Sequence, residues 1–280
     1  MNPTIDIVTL GVSDPERARD FFEGAFGADV SADAKALTVN LGPHASRFEL
    51  RDWDDLATEV GEPAQSIGFR GFTLSYILGS AEDVDRVVGR AEQHGGRVTK
   101  PARNAAWGYS AYVTDPSGYL WKIASSKRRP LIGRKRADVS NGHAVTPQEV
   151  PVTIGVADMS VAKRFYADGL GLPVKKAFGN KFVMFKGEDG RSDLGMYKRQ
   201  ALARDAAVAP EGSGFRGFTM TYVVESAARV DELLARAAAA GGTIVKPGAG
   251  TDRGGYRAYF ADLDGNLWHL ASNSLPAGSS

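Results

Sequence analysis

The sequence predicts an α+β protein built from two tandem copies of one domain, each copy made of two βαβββ modules. Three observations predict it. The chain repeats itself at long period: "GFRGFT" stands at Gly68–Thr73 and again at Gly214–Thr219, and "GGRVTKP" at Gly95–Pro101 matches "GGTIVKP" at Gly241–Pro247. The offset is 144 at Val12/Val156, 146 at Gly68/Gly214 and 147 at Gly118/Gly265, so the copies differ only by small loop insertions. A period this long marks a duplicated domain rather than a solenoid. Within each copy, two helical apolar stripes alternate with short β-rich runs. Each copy then closes on the same hairpin, "WGYSAYVTDPSGYLWKIA" from Trp107 and "GGYRAYFADLDGNLWHLA" from Gly254.

The elements follow in order. "IDIVTLGV" is β-rich. Asp14 and Pro15 then offer a cap and a first-turn proline, and Ala18, Phe21, Phe22 and Ala25 fall at i, i+3, i+4, i+7 on one helical face. Gly27 supplies a stop. "KALTVNL" and "SRFELRD" read as strands, and "GFTLSYIL" opens the second module. Ser80 caps the next helix, whose stripe is Val84, Val87, Val88 and Ala91. "GRVTKP", "YSAYVT" and "GYLWKIA" complete the copy, the last two joined by the turn tetrapeptide "DPSG". In the second copy the stripes are Ala162, Phe165, Tyr166, Gly169 and Val230, Leu233, Leu234, Ala237. The domains are placed at 1–126 and 148–274, with a linker at 127–147 and a tail at 275–280. The linker carries Lys127, Arg128, Arg129, Arg134, Lys135 and Arg136; with no interleaved aromatics, it reads as a solvated connection.

Composition narrows the function. A net charge of +1 gives no global attraction to nucleic acid or membrane, so neither is expected as a partner. The chain has no cysteine, which removes disulfides, thiolate catalysis and cysteine metal sites. No apolar run approaches the ~20 residues of a membrane span. The first ten residues lack a basic segment followed by a long apolar one, so a cytoplasmic protein is expected.

The "V-[SA]-D" entries to the first helices, the "VD" helices followed by "GG" and "KP", and above all the two terminal hairpins resemble the vicinal-oxygen-chelate superfamily. That superfamily includes glyoxalase I, extradiol dioxygenases and bleomycin-resistance proteins. The resemblance covers most of both copies. It implies two tandem glyoxalase-like domains forming an intramolecular pseudo-dimer, and hence a monomer. It also implies four metal-ligand positions on the open face of each sheet. These fall here on Ile7, Glu49, Thr73 (or Phe72, one register step away) and Lys122 in the first copy and on Pro151, Gly195, Thr219 (or Phe218) and His269 in the second. If the clefts are shared between copies, as the resemblance implies, one contains Ile7, Glu49, Thr219 and His269. The other contains Pro151, Gly195, Thr73 and Lys122. Two protein donors are fewer than the three plus water of a usual catalytic zinc site. No cofactor is therefore expected; were a divalent metal bound, Glu49 and His269 would be its ligands.

Strand alternation places Arg47 and Arg51 on the face of Glu49, and Tyr197 on the equivalent face of the second copy. A symmetric count across "DPSG" pairs Tyr112 with Trp121 and puts Tyr109 on the Lys122 side. The same count pairs Tyr259 with Trp268 and puts Tyr256 on the His269 side. Tyr109 and Tyr256 are thus expected as cleft walls and the Tyr–Trp pairs as core. Two functional readings compete. In one, the chain binds a small, partly aromatic metabolite or antibiotic without metal. Trp107, Tyr109 and Tyr256 would stack on it, and Arg47, Arg51, Thr73, Lys122, Tyr197 and Thr219 would complete the contacts. In the other, it is a glyoxalase-type lyase or isomerase acting on a carbonyl substrate, with Glu49 and His269 as acid and base.

Overall fold

The computed structural model describes residues 3–33, 36–105, 107–130, 145–251 and 254–274. Arg134, Lys135 and Arg136 of the basic linker, and the tail at 275–280, lie outside the described residues. The first copy runs β1 (Ile7–Val12), α1 (Pro15–Phe26), β2 (Asp29–Ala32), β3 (Leu37–Asn40), β4 (Arg47–Asp52) and α2 (Trp53–Val60). It continues β5 (Ser66–Gly68), β6 (Phe72–Leu78), α3 (Ala81–Gln93), β7 (Arg97–Ala105), β8 (Gly108–Thr114) and β9 (Leu120–Ser125). The second copy repeats this order: β10 (Val152–Val156), α4 (Met159–Arg164), β11 (Val174–Phe178), β12 (Phe182–Phe185), β13 (Leu194–Lys198) and α5 (Arg199–Ala206). It ends with β14 (Gly212–Gly214), β15 (Phe218–Val224), α6 (Ala227–Ala239), β16 (Thr243–Gly250), β17 (Tyr256–Ala261) and β18 (Leu267–Ser272).

The helix caps sit where the sequence puts them. The Asp14 carboxylate accepts from Arg17 N at 3.0 Å, and Gly27 ends α1 with φ +66°. Ser80 Oγ accepts from Asp83 N at 3.1 Å at the start of α3. After Arg164, α4 widens into a π-helical turn over Phe165–Leu170. Gly169 lies within that turn, and a Cβ there would come within 2.6 Å of the Ala240 Cβ. The glycine in the fourth position of that stripe is thus a contact with the end of α6.

The strands assemble across copies. One eight-stranded sheet has the order β16-β17-β18-β15-β1-β4-β3-β2, and the other β11-β12-β13-β10-β6-β9-β8-β7. The first half of each copy therefore completes its sheet with the second half of the other. β1 joins β15 antiparallel with Thr9 opposite Thr219, and β10 joins β6 with Thr153 opposite Thr73. At the centre the Phe72 and Phe218 rings stack at 3.7 Å, and the buried Tyr119 hydroxyl lies 2.7 Å from Gly11 O and 2.6 Å from Gly217 O. The "RGF" glycine is required here. Gly217 has φ +74°, and a Cβ on it would strike the Trp53 ring at 2.2 Å.

Each sheet turns one face to its helices. Val8, Leu10, Phe48 and Trp121 bury there with Phe22 and Phe26 of α1, the Phe26 and Trp121 rings 4.8 Å apart. Burial of such side chains contributes about 1.5–3 kcal/mol each. The opposite faces form two clefts, and across each lies a helix that the βαβββ reading does not contain. α2 covers the β17–β18 side of the first cleft through Leu56, Ala57 and Val60, packed with Phe215, Tyr259 and Leu267. α5 covers the second through Leu202, Ala203 and Ala206, packed with Phe69, Tyr112 and Leu120.

Candidate ligand-binding clefts

In the first cleft, alternation along β4 sends Phe48 and Leu50 into the core and Arg47, Glu49 and Arg51 to the open face. Arg47 Nη2 lies 2.9 Å from Glu49 Oε1. The centre of the cleft belongs to Glu59 of α2. Arg51 Nη1 reaches it at 2.7 Å, Arg257 Nη1 at 3.4 Å, and the buried Tyr259 hydroxyl donates to the same carboxylate. Glu59 thereby bridges β4 to β17, joining the two modules over the cleft. Burial alone would raise its carboxyl; the Tyr259 hydrogen bond and the arginines outweigh burial and hold it below the usual range. His269 lies beneath. Its ring stacks on Tyr259 at 4.5 Å, and its Nδ1 is 3.2 Å from Thr221 Oγ1. The residue is partly buried, and its Nε2 is sealed from solvent without a partner. Burial, then repulsion by Arg257 and Arg51, pushes the imidazole down to about 4, so it is neutral at pH 7.

The second cleft repeats the plan with different groups. Asp205 stands in α5 where Glu59 stands in α2. Lys122 Nζ meets it at 2.7 Å and Lys100 Nζ at 2.9 Å, while the Tyr112 hydroxyl donates at 2.7 Å. Burial opposes ionisation of Asp205, but Lys122, Lys100 and Tyr112 hold it well below the usual carboxylate range. Burial and the Asp205 charge push the Tyr112 phenol well up.

One wall of this cleft is aromatic. Tyr197 on β13 pairs with Phe182 on β12, their rings 4.9 Å apart, and Phe182 pairs with Phe178 on β11 at 6.2 Å. Trp107, in the turn between β7 and β8 at the far edge of the same sheet, meets Phe178 at 5.3 Å. The sheet thus curls until its two edges touch, and Trp107 stays 75% exposed at the mouth. Lys176 Nζ lies 5.6 Å from the Phe178 ring.

The two expected tyrosine walls are corrected. Tyr112, not Ala111, stands opposite Lys122, and Val113 opposite Trp121; likewise Tyr259 stands opposite His269 and Phe260 opposite Trp268. Tyr109 and Tyr256 therefore lie on the helix side, their hydroxyls donating to Asp85 of α3 at 2.8 Å and Asp231 of α6 at 3.0 Å. The cause is one extra turn residue. Asp115 N donates to Tyr119 O, Gly118 takes φ +83°, and Asp115 Oδ1 accepts from Ser117 N and Tyr119 N, so Tyr119 belongs to the loop. This is a turn followed by a left-handed glycine bulge, which shifts the pairing by one and exchanges the faces. Thr73 and Thr219 do face the clefts, but both are buried beneath the helices.

The implied metal ligands can be tested on the groups present. The first cleft offers Glu49 and His269, of which Glu49 is paired with Arg47 and His269 lies in the layer under Glu59. The second offers Thr73, Gly195 and Lys122. Among the described residues no group of three or more His, Cys, Asp or Glu could hold a metal ion. The donor set does not fit a divalent metal in either cleft.

Sequence reasoning missed Glu59, Asp205 and the Phe178–Phe182 ladder. A signal for Glu59 was present: Asp52 before "WDDLATEV" is an N-cap, its carboxylate accepting from Asp54 and Asp55 N, and Leu56, Ala57 and Val60 form a one-sided stripe. For Asp205 only the stripe of Leu202, Ala203 and Ala206 was there, with no side-chain cap.

Comparison with known proteins bears on the fold and the family. The sequence pattern of the Glyoxalase/Bleomycin resistance protein/Dioxygenase superfamily matches residues 4–123 and 149–270. The chain belongs to that superfamily. Its structure is similar to glyoxalase I from Zea mays, at 17% identity over 97% of this chain and 93% of that one, with a TM-score of 0.64. It is also similar to a putative dioxygenase from Bacillus subtilis, at 15% identity over 99% of this chain and 87% of that one, with a TM-score of 0.61. Likeness at this level shows a shared fold. No curated protein matches the chain. Among the described residues, no helix is long and apolar enough to cross a membrane.

Proposed function

We propose that this superfamily member is a metal-independent binding protein that takes a small, partly aromatic molecule in its second cleft. One observation carries the reading: the Trp107–Phe178–Phe182–Tyr197 ladder lines a cleft whose family ligand positions hold no metal donor set. A flat ligand would lie along the ladder, gaining apolar burial and ring stacking. Lys176 at the ladder and the two lysines around Asp205 leave an excess of positive charge, which favours a ligand with an anionic group. The working unit is one chain, because each copy supplies the half-sheet the other lacks.

Tryptophan fluorescence tests the proposal. A saturable change on titration with an aromatic metabolite panel is expected, and Trp107→Ala should remove most of it. Metal analysis of protein purified without chelators forms the second arm. Stoichiometric Ni, Zn, Fe or Mn would overturn the metal-independent reading and favour a glyoxalase-type lyase or isomerase using Glu49 and His269.

A further inference from the structure

A cavity of about 310 Å³ opens beyond the carboxyl end of α5. None of its lining residues belongs to the aromatic ladder or to the Asp205 network. Its apolar walls include Phe69, Leu120 and Val208; two guanidinium groups, Arg70 and Arg97, share it with one carboxylate, Glu211.

The repeat shows what is unusual about Arg70. Its twin in the second copy is Arg216, which uses both terminal nitrogens: Nη1 donates to the Asn266 side chain and Nη2 to Asp264 O. Arg70 Nη2 makes the matching bond to Ser117 O at 2.9 Å, but its Nη1 is buried without a protein partner. The reason is a substitution between copies. Tyr119 stands where Asn266 stands, and its hydroxyl is engaged by Gly11 O and Gly217 O. Tyr119 turns a ring face to Arg70, 4.4 Å from the guanidinium carbon, with its hydroxyl also interacting with the guanidinium and Trp53 on another side at 4.7 Å. Arg97 is exposed and, among the described residues, in no ion pair. Leaving a buried guanidinium nitrogen unpaired is costly unless something outside the chain supplies an acceptor.

We infer that this cavity is a second binding site, for a small single-ring aromatic monocarboxylate. Among the lining residues two guanidiniums stand against one carboxylate, and the buried Asp115 behind Arg70 offsets part of its charge, so one ligand carboxylate is the most the site balances. The planar guanidinium matches a carboxylate's two oxygens, and the apolar walls take the ring. At roughly 20–30 Å³ per non-hydrogen atom the space holds about ten to fifteen such atoms. The Trp53 and Tyr119 rings packed on Arg70 keep the cation oriented before the ligand arrives.

The test uses the full chain with phenylacetate and its neutral isostere phenylacetamide, read by calorimetry. Phenylacetate is expected to bind saturably, at least about tenfold more tightly than the amide, since hydrogen bonds between ionised partners are roughly twice as strong as neutral ones. Arg70→Met should weaken phenylacetate by a similar factor, and Arg97→Gln by less. Val208→Trp, which fills the cavity, should abolish binding, and it keeps the test alive if Arg70→Met does not fold. The ladder cleft also favours an aromatic anion, so the two sites are told apart by component: Trp107→Ala should spare the phenylacetate binding that Val208→Trp removes. No saturable binding, equal binding of the amide, or no effect of Val208→Trp would each overturn the inference. Loss of binding in Trp107→Ala would place the anion in the ladder cleft and overturn it equally.

Discussion

His269 carries the sharpest pH prediction. Its imidazole is pushed down to about 4 in the fold, against about 6.5 in an unfolded chain. The charged ring carries a proton on both nitrogens, Nε2 is sealed and unpartnered, and Arg257 and Arg51 repel the added charge. As pH falls through 6.5 the unfolded chain takes up a proton that the folded chain refuses, so the contribution to stability is present above that pH and is lost below it. Between pH 7 and 5 this amounts to about 2 kcal/mol, set by the gap between the two values over that range. The assay is urea unfolding of the wild type and of His269→Gln at both pH values. The wild type should lose about 2 kcal/mol more than the variant on acidification. An NMR titration of the ring supplies the second readout. A His269 titrating near 6.5, or an identical pH slope in the variant, would refute the argument. A shift of the resonance by stoichiometric zinc at pH 7 would refute the description of the first cleft as unsuited to metal.

Other expectations follow from the same contacts. Asp205→Ala should destabilise by about 2 kcal/mol in denaturant unfolding, because it strands the buried Tyr112 hydroxyl and leaves Lys100 and Lys122 facing one another. Asp115, fully buried and pushed up by that burial to about 6, should act opposite to His269. Its carboxyl takes up a proton in the fold before it does in the unfolded chain, so stability should rise by about 1 kcal/mol from pH 7 to 5, a gain lost in Asp115→Asn. Tyr119→Phe removes the hydroxyl between Gly11 O and Gly217 O and should cost about 1–2 kcal/mol in thermal or chemical unfolding. Sedimentation should find a monomer, each half-sheet being completed within the chain; a dimer at micromolar concentration would contradict that.

Much of this protein was legible in its sequence because the signals are local or repeated. The offset of 144 to 147 residues fixed the duplication, and the Asp14 and Ser80 caps with their apolar stripes fixed the helices. Alternation along "RFELRD" placed Glu49 between two arginines on the open face, because side chains in a strand alternate without exception until a bulge intervenes. The replacement of Lys122 by His269 announced two unlike clefts. Tertiary structure decided what those clefts contain. A single bulge residue after Gly118 and its twin after Gly265 exchanged Tyr109 for Tyr112 and Tyr256 for Tyr259, since register depends on hydrogen bonds that the Asp115 and Asp262 carboxylates organise around the turn. The Glu59 and Asp205 carboxylates arrive on helices from the opposite half of each cleft. Phe178 meets Trp107 only because the sheet curls its edges together. Local pattern sets which face a side chain takes; which faces meet depends on the twist and closure of the whole sheet, and no short stretch of sequence encodes that.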